Sequence, residues 1–414
     1  MSIVKIALVG AGSRGSIYSN YILEHSDEVR LVGVAEPREF YRSQFVLKHQ
    51  IPDENVFTDW RALASREKFA DAVIIALQDS LHVDATLELA RKGYHVLLEK
   101  PMATTEDGCS RIVDAVTKAK IIFSVCHVLR YTPYSQKLKE ILGSGRIGDI
   151  VSIQHLEPVG YWHQAHSFVR GNWSNQANST FMLLAKSCHD LDWIRFIAGS
   201  KCVKISSFGN LKHFTKNNMP KDAGNRCLEC NYEPKCPYSA KKIYLNRAMQ
   251  GHFCWPIDTI TSDLTIEGVL NALRTGPYGR CVYLCDNDVV DHQVVNMLFE
   301  DGKTAVFTMT AFAELAQRKT RIFGTRGEIY GDGSKILIHD FLTDKTEELD
   351  TSATAGSIYV GHGGGDHGLM KNFVTAVSER DRCKILTGPE ETLESHLMVF
   401  AAEKSRQEGR MVSL

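Results

Sequence analysis

The sequence predicts an α/β protein in two parts: an N-terminal doubly wound parallel sheet, then a C-terminal α/β domain built on a large, mostly antiparallel sheet. Three observations predict it. Strand and helix signals alternate through the first third of the chain, the pattern of a parallel sheet with crossover helices. A glycine pattern, Gly10-Ala11-Gly12-Ser13-Arg14-Gly15, closes the first strand. From residue 150 onward, strand-like runs follow one another with few long helices between them, as in antiparallel sheet.

Val4 to Val9 reads as a buried strand. Gly10 then permits a tight turn, Gly12 lets the backbone approach a pyrophosphate, and Gly15 lets the next helix pack against the strand. The helix's first amides, around Ser13 and Arg14, face the anion. The strand-turn-helix setting is what gives the glycine pattern meaning. The run Leu31 to Ala35 ends in Glu36, at the distance where an acid accepts hydrogen bonds from the adenosine ribose hydroxyls, which favours NAD. Arg14 and Arg38 keep NADP open, because either guanidinium could pair with a 2′-phosphate that Glu36 would repel.

An amphipathic stretch runs to about His49, and Asp71 to Leu77 forms another buried strand. Helical spacing from Ser80 to Lys92 stops at Gly93, and His95 to Leu98 is the next strand. It ends in Glu99-Lys100-Pro101, so Lys100 stands at the carboxyl edge of the sheet, where open α/β sheets bind ligands. Gln78, His82 and Glu99 join the glycine loop as expected cofactor contacts. A helix from Thr105 to Lys118 and a strand from Ile121 to Cys126 complete this part.

Composition narrows the function classes. At 414 residues, 43% hydrophobic and 23% charged, the chain is a globular protein long enough for two domains. A net charge of −1 gives no nucleic-acid surface and no polybasic membrane anchor. Without a basic-apolar leader or an apolar run of membrane-spanning length, a cytoplasmic location is the expectation. Eleven scattered cysteines, an odd number, do not resemble a secreted disulfide framework.

Further along, Ile150 to Leu156, Val282 to Asp288 and Val294 to Phe299 read as strands, with a hairpin through Asp301-Gly302 into Thr304 to Met309. Strands follow at Arg321 to Phe323 and Lys335 to His339, and two helices, Leu369 to Glu379 and Glu391 to Gln407, are expected to pack back. Residues 155–173 are dense in polar and aromatic groups, among them Tyr161, His163, His166 and Arg170. They suit a carbohydrate, which offers ring faces to aromatics and hydroxyls to polar groups, and they equally suit a surface loop. The segment 361–367, with Asp366 and His367, has the same double reading. Cys227, Cys230 and Cys236 in the loop 225–240 could hold a structural zinc or similar ion, with Cys254, His252 or Cys202 as a fourth ligand. Reduced thiols or a disulfide are the alternatives.

These landmarks, together with Arg130-Tyr131-Thr132-Pro133, Gly145-Arg146-Ile147-Gly148 and Gly324-Thr325-Arg326-Gly327-Glu328, resemble the Gfo/Idh/MocA family. The resemblance implies an NAD-binding domain over residues 1–128. It also implies a substrate-binding and oligomerisation domain over residues 129–414, assembled as a homodimer or homotetramer. It implies an oxidoreductase moving a hydride from or to a ring carbon of a sugar, sugar derivative or cyclitol. Arg130 would contact the substrate, with Tyr161, His163, His166, Arg170, Asp366 and His367 selecting it. Lys100 would hold the reacting oxygen; as a base at neutral pH it would need burial or a neighbouring cation to lower its pKa. His189 would assist proton transfer. The family's helix motif Asp-x-Gly-x-His-x-x-Asp corresponds to Ala185 through Asp192, so His189 and Asp192 match while Ala185 stands in place of an acid and Lys186 follows it. That departure keeps open an NAD-dependent oxidoreductive glycosidase without net redox, for which Lys186 would add an acid-base group. A non-catalytic NAD sensor is the third reading.

Overall fold

The computed structural model describes residues 3–352 and 362–414. Six strands, β1 (Val4–Val9), β2 (Val29–Ala35), β3 (Val56–Phe57), β4 (Ala72–Ile75), β5 (His95–Leu98) and β6 (Phe123–Val125), form one sheet in the order β3-β2-β1-β4-β5-β6. Every pair is parallel. The order reverses between β1 and β4, so the crevice of this sheet opens at the carboxyl end of β1, where the glycine loop lies.

The helices start where local chemistry directs. Thr105 accepts a hydrogen bond from the Gly108 amide at the head of the helix Glu106–Ala119, and Thr132 does the same for Ser135 ahead of Pro133–Gly143. One face of the sheet packs on the helices Ser13–Glu24 and Glu39–His49 through Tyr18, Ile22 and Phe45. The same face receives Leu369, Met370 and Phe373 from the late helix Gly365–Glu379.

The second sheet has nine strands: β7 (Ile150–Pro158), β8 (Cys202–Asn210), β9 (His292–Phe299), β10 (Thr304–Thr310), β11 (Lys319–Gly324), β12 (Gly327–Gly331), β13 (Lys335–Asp340), β14 (Lys345–Asp350) and β15 (Val412–Ser413). Their order is β14-β13-β12-β11-β7-β10-β9-β8-β15, antiparallel except for the central β7/β10 pair. Inward residues such as Ile153, Val295, Phe307 and Ile322 are fully buried against the helices Cys188–Ala198 and Pro389–Glu408. The helix Pro389–Glu408 also packs on Glu106–Ala119, so Met398 and Val399 share one apolar cluster with β4, β5 and the second sheet.

Between β8 and β9, residues 211–291 form an insert of short helices with its own cluster, including Phe214, Tyr244, Ile257, Leu273 and Tyr283. The strand expected over Val282 to Asp288 is not there. Leu284 turns back to donate to the Cys281 carbonyl, and Val282 and Tyr283 are spent in the insert's core rather than in a ladder. The aromatic stretch after β7 is a partly exposed helical turn, Tyr161–His163, running into a fully buried π-helix, Gln164–Arg170. Its Ala165 and Val169 pack into the insert's cluster.

Candidate active site

The glycine loop has the steric logic its spacing suggested. Gly10 has φ +94° and a Cβ there would come within 2.3 Å of the Ala76 carbonyl oxygen; at Gly15 a Cβ would meet the Gly10 oxygen at 2.3 Å. Gly12 differs, since a Cβ there would meet only the Arg38 guanidinium, at 3.6 Å. Among the described residues nothing obstructs a side chain at that position, and the helix Ser13–Glu24 begins there with no side-chain cap on its first amides. Glu36 is buried and accepts from the Ala11 amide at 2.8 Å, the Arg38 amide at 3.0 Å and Arg38 Nε at 2.7 Å. Burial opposes its ionisation, but the bonds from Arg38 and Ala11 outweigh it and hold the carboxyl below its ordinary range. These residues fit a dinucleotide: an uncapped helix start, an open Gly12 and a buried acceptor at the end of β2.

Arg14 is engaged within the protein through Nε and Nη2, and its Nη1 is buried. Its Nε donates to Glu99 Oε1 at 2.6 Å, and its Nη2 lies 2.5 Å from both the Tyr18 hydroxyl and Asp366 Oδ1. Glu99 also accepts from the Lys100 amide at 2.9 Å, so the glycine loop, the end of β5 and the start of the helix Gly365–Glu379 are tied through the Arg14 guanidinium and its two carboxylates, Glu99 and Asp366. Gln78 is exposed at the carboxyl edge after β4. His82 is fully buried with its ring nitrogens on the Pro101 and Leu77 carbonyl oxygens, at 2.8 and 3.2 Å, so it pins two loops together instead of offering its ring to a ligand.

Lys100 Nζ donates to the Ala185 carbonyl oxygen at 2.9 Å. The position that lacks an acidic side chain thus engages the lysine through its backbone. His189, one turn on, is buried, with its ring 5.5 Å from that of His127 and 5.9 Å from that of His362, and its Nδ1 has no partner. Burial, then Lys100, His127, His362 and Arg318, push its pKa well below the ordinary histidine value. Lys186 pairs with Glu157 at 2.9 Å. Arg318, which nothing in the sequence singled out, lies 2.9 Å from Glu157 Oε2 as an ion pair without hydrogen-bond alignment, and donates to Asp190 Oδ1 at 2.8 Å. Asp190 in turn meets His155 Nε2 at 3.2 Å, so it is spent behind the cleft and does not replace the missing acid. His163 is half-buried, its pKa lowered by burial and then by Lys186.

Several expected substrate contacts lie elsewhere. Arg130 is buried in a bidentate pair with Asp192, at 2.8 and 2.7 Å, with its remaining donor on the Leu386 carbonyl. Arg170 is buried in the insert, donating to the Arg280 and Tyr238 carbonyls and to Cys227 Sγ. His166 shares hydrogen bonds with the Tyr244 and Thr259 hydroxyls and stacks on Tyr278. His367 faces Tyr21 and His25 on the far side of the first sheet's helix. Tyr161 is 40% exposed, the only one of these side chains open to solvent to that extent. Asp366 does reach the cleft, between Arg14 and His362. Gly361 lies outside the described residues.

The metal expectation is corrected. Among the described residues no group of three or more His, Cys, Asp and Glu side chains is arranged to hold an ion, and all eleven cysteines are free thiols. Cys227 turns to Arg170, Cys230 accepts from the Gly224 amide at 3.2 Å, Cys254 is exposed, and Cys202 sits on β8 with its thiol on the Lys204 carbonyl.

A doubly wound sheet with this loop, followed by a mixed sheet that carries a basic cleft, defines an NAD-binding oxidoreductase fold. Residues 4–127 match the description "Oxidoreductase family, NAD-binding Rossmann fold" and residues 139–414 match "Oxidoreductase family, C-terminal alpha/beta domain". The chain belongs to the Gfo/Idh/MocA oxidoreductase family. It is 25% identical to YteT of Bacillus subtilis over 407 residues, 93% of this chain and 92% of that one. It is 27% identical to 2,7-anhydro-N-acetylneuraminate hydratase of Mediterraneibacter gnavus over 214 residues, 51% of this chain and 54% of that one. Among solved structures, levoglucosan dehydrogenase in complex with NADH superposes with a TM-score of 0.73 at 16% identity, covering 100% of this chain and 99% of that one. An oxidoreductase of Agrobacterium radiobacter in complex with NAD+, L-tartaric acid and magnesium gives 0.71 at 15%, covering 100% and 98%.

Proposed function

We propose that the chain is an NAD-dependent oxidoreductase acting on a hydroxyl of a sugar, sugar derivative or cyclitol. The observation that carries this reading is Lys100, whose ammonium leaves the carboxyl edge of β5 for the Ala185 carbonyl at the end of the helix Met182–Ala185, just ahead of the helix Cys188–Ala198 that bears His189. The dinucleotide would be held by Gly10 to Gly15 and Glu36, and when bound it supplies a hydride acceptor. Occupation of Arg14 by Glu99 and Asp366, and burial of the Glu36 carboxylate, support NAD over NADP. Lys100 would bind and polarise the reacting oxygen, with His189 beside it, while Lys186 and Arg318, each paired to Glu157, offer donors for further hydroxyls. His163 and Tyr161 would line the same cleft.

The outer face of the nine-stranded sheet, where Phe208 is 66% exposed and Gln154, Asn296 and Val306 also point outward, supports assembly as a homodimer or homotetramer. No helix among the described residues is long and apolar enough to cross a membrane; a cytoplasmic enzyme suits the absence of disulfides among them. The test is a panel of sugars, inositols and glycosides with NAD+, following NADH and product release together. Net NADH is expected, and Lys100→Ala should lower kcat by roughly 10²- to 10⁴-fold while NAD still binds; full activity of that variant would overturn the assignment.

A second reading is favoured by Ala185 and by the Lys186–Glu157 pair, which adds a charged group next to the helix turn that lacks the acid. An oxidoreductive glycosidase would release aglycone with no NADH accumulation. The hydratase names of two relatives, in Mediterraneibacter gnavus and Escherichia coli, are in keeping with a reaction of no net redox.

A further inference from the structure

The cleft is rich in cations and holds three histidines, His163, His189 and His362. For a histidine to take a proton from a substrate hydroxyl, the imidazolium that results needs compensating negative charge. No carboxylate is among the groups that act most strongly on His189, which are Lys100, His127, His362 and Arg318. His163 stands under Lys186, His166 and Lys100. His362 alone carries a carboxylate on its ring, with Nδ1 3.0 Å from Asp366 Oδ2. Asp366 is kept ionised by Arg14, 2.5 Å from its other oxygen. The His362 backbone holds φ +44°, a left-handed conformation unusual for a histidine, next to glycines at 363 and 364 that are also left-handed. This brings the ring to within 5.9 Å of His189 while about a third of its side chain stays open.

We propose that His362 and Asp366 form the proton-transfer dyad of this site, taking over the task for which position 185 provides no acid. The inference rests on the oxidoreductase reading above. In the oxidation direction the substrate O–H bond breaks and its proton passes to His362 Nε2. The electron pair left on oxygen forms the carbonyl, and the C–H hydrogen leaves with its pair as hydride to oxidised NAD. Lys100 and His189 stabilise the oxygen as charge develops on it. Asp366 is the positioning residue: it fixes the tautomer with the proton on Nδ1 and Nε2 free, and it stabilises the imidazolium.

His362 is faced by Asp366 from its own helix, by Arg14 from the glycine-loop helix, by Arg318 ahead of β11 and by His189 from the helix Cys188–Ala198. The net shift of its pKa is downward, with burial the largest cause and Asp366 opposing it. On a substrate found in the panel, His362→Gln should lower kcat about 10²- to 10⁴-fold with NAD affinity unchanged, and added imidazole should restore part of the rate. Asp366→Asn removes the charge that favours the imidazolium, so the acid limb of kcat/KM should move to lower pH as kcat falls, a shift that lost packing alone would not produce. His362→Gln within about threefold of wild type, or an acid limb unmoved in Asp366→Asn, would overturn the dyad. If wild type turns over nothing in the panel, the functional reading fails separately. Nitrogen-15 NMR of the NAD-loaded protein then decides the dyad: a proton on His362 Nδ1 that is lost from that site in Asp366→Asn upholds it, and a proton on Nε2 at pH 7 overturns it.

Discussion

His127 occupies the middle of a row of imidazoles that runs from the cleft into the core. The rings of His362, His189, His127 and His396 follow one another at 5.9, 5.5 and 5.4 Å. His127 and His396 are completely buried, and burial, the largest cause for each, lowers their pKa values to about 3 and about 4. In the unfolded chain both titrate near 6.5. Between pH 6.5 and 4 the unfolded chain therefore binds more protons than the folded one, so stability is fully present above pH 6.5 and drains away as pH falls toward 4. Each group loses about 1.4 kcal/mol per pH unit in that window. Urea denaturation at pH 7 and pH 5 should show the loss, and in His127→Phe the difference between the two pH values should shrink by about 2 kcal/mol. An equal difference in the variant would mean that other groups set the acid sensitivity. At this scale the sequence is readable only where a residue's partner is local. Glu36, Lys100 and the glycines stand where the sequence places them, just past the carboxyl ends of β2, β5 and β1, because strand, turn and helix are contiguous. Arg130 looks like a ligand-binding cation and is a structural one, since its carboxylate arrives from Asp192, 62 positions away.

The elements divide along the same line. Strands with continuous apolar runs, such as β1 and β5, stand where periodicity puts them, and the helix Glu106–Ala119 begins at the Thr105 cap that marks it. Val282 to Asp288 has strand composition but belongs to the insert, whose cluster of aromatics competes for Val282 and Tyr283. The π-helix was equally hidden, because its widened turn depends on packing between the second sheet and that insert. For the glycine loop, the two kinds of glycine make separable predictions. Gly15→Ala forces a methyl to 2.3 Å from the Gly10 carbonyl oxygen, and should cost about 1–3 kcal/mol of stability along with NAD binding. Gly12→Ala meets no such obstacle, so its stability should stay within about 0.5 kcal/mol of wild type while NAD affinity falls at least roughly tenfold. Isothermal titration beside calorimetric melting distinguishes the two. A Gly12→Ala protein that bound NAD normally would remove this loop from the proposed cofactor site.

Across the whole molecule, the helix Pro389–Glu408 lies between the two sheets, and His396 accepts a hydrogen bond from the Met102 amide at 2.9 Å, two residues beyond Lys100. The helix Gly365–Glu379 covers the first sheet with Leu369, Met370 and Phe373 and delivers Asp366 to Arg14. A fragment of residues 1–128 would therefore expose apolar surface that the late helix normally seals. It should be poorly soluble or bind a hydrophobic dye, and a synthetic peptide of residues 362–380 should protect it from proteolysis. A well-folded, dye-silent fragment would contradict this. The parallel, doubly wound character of the first sheet could be read from the first 128 residues, but its lid could not, because that contact closes over more than 350 positions of chain. The Arg14–Asp366 contact thus works as a clasp: a nucleotide domain whose last wall is supplied from far downstream is not a self-contained cassette, and a graft of residues 1–128 onto another protein would leave that wall behind.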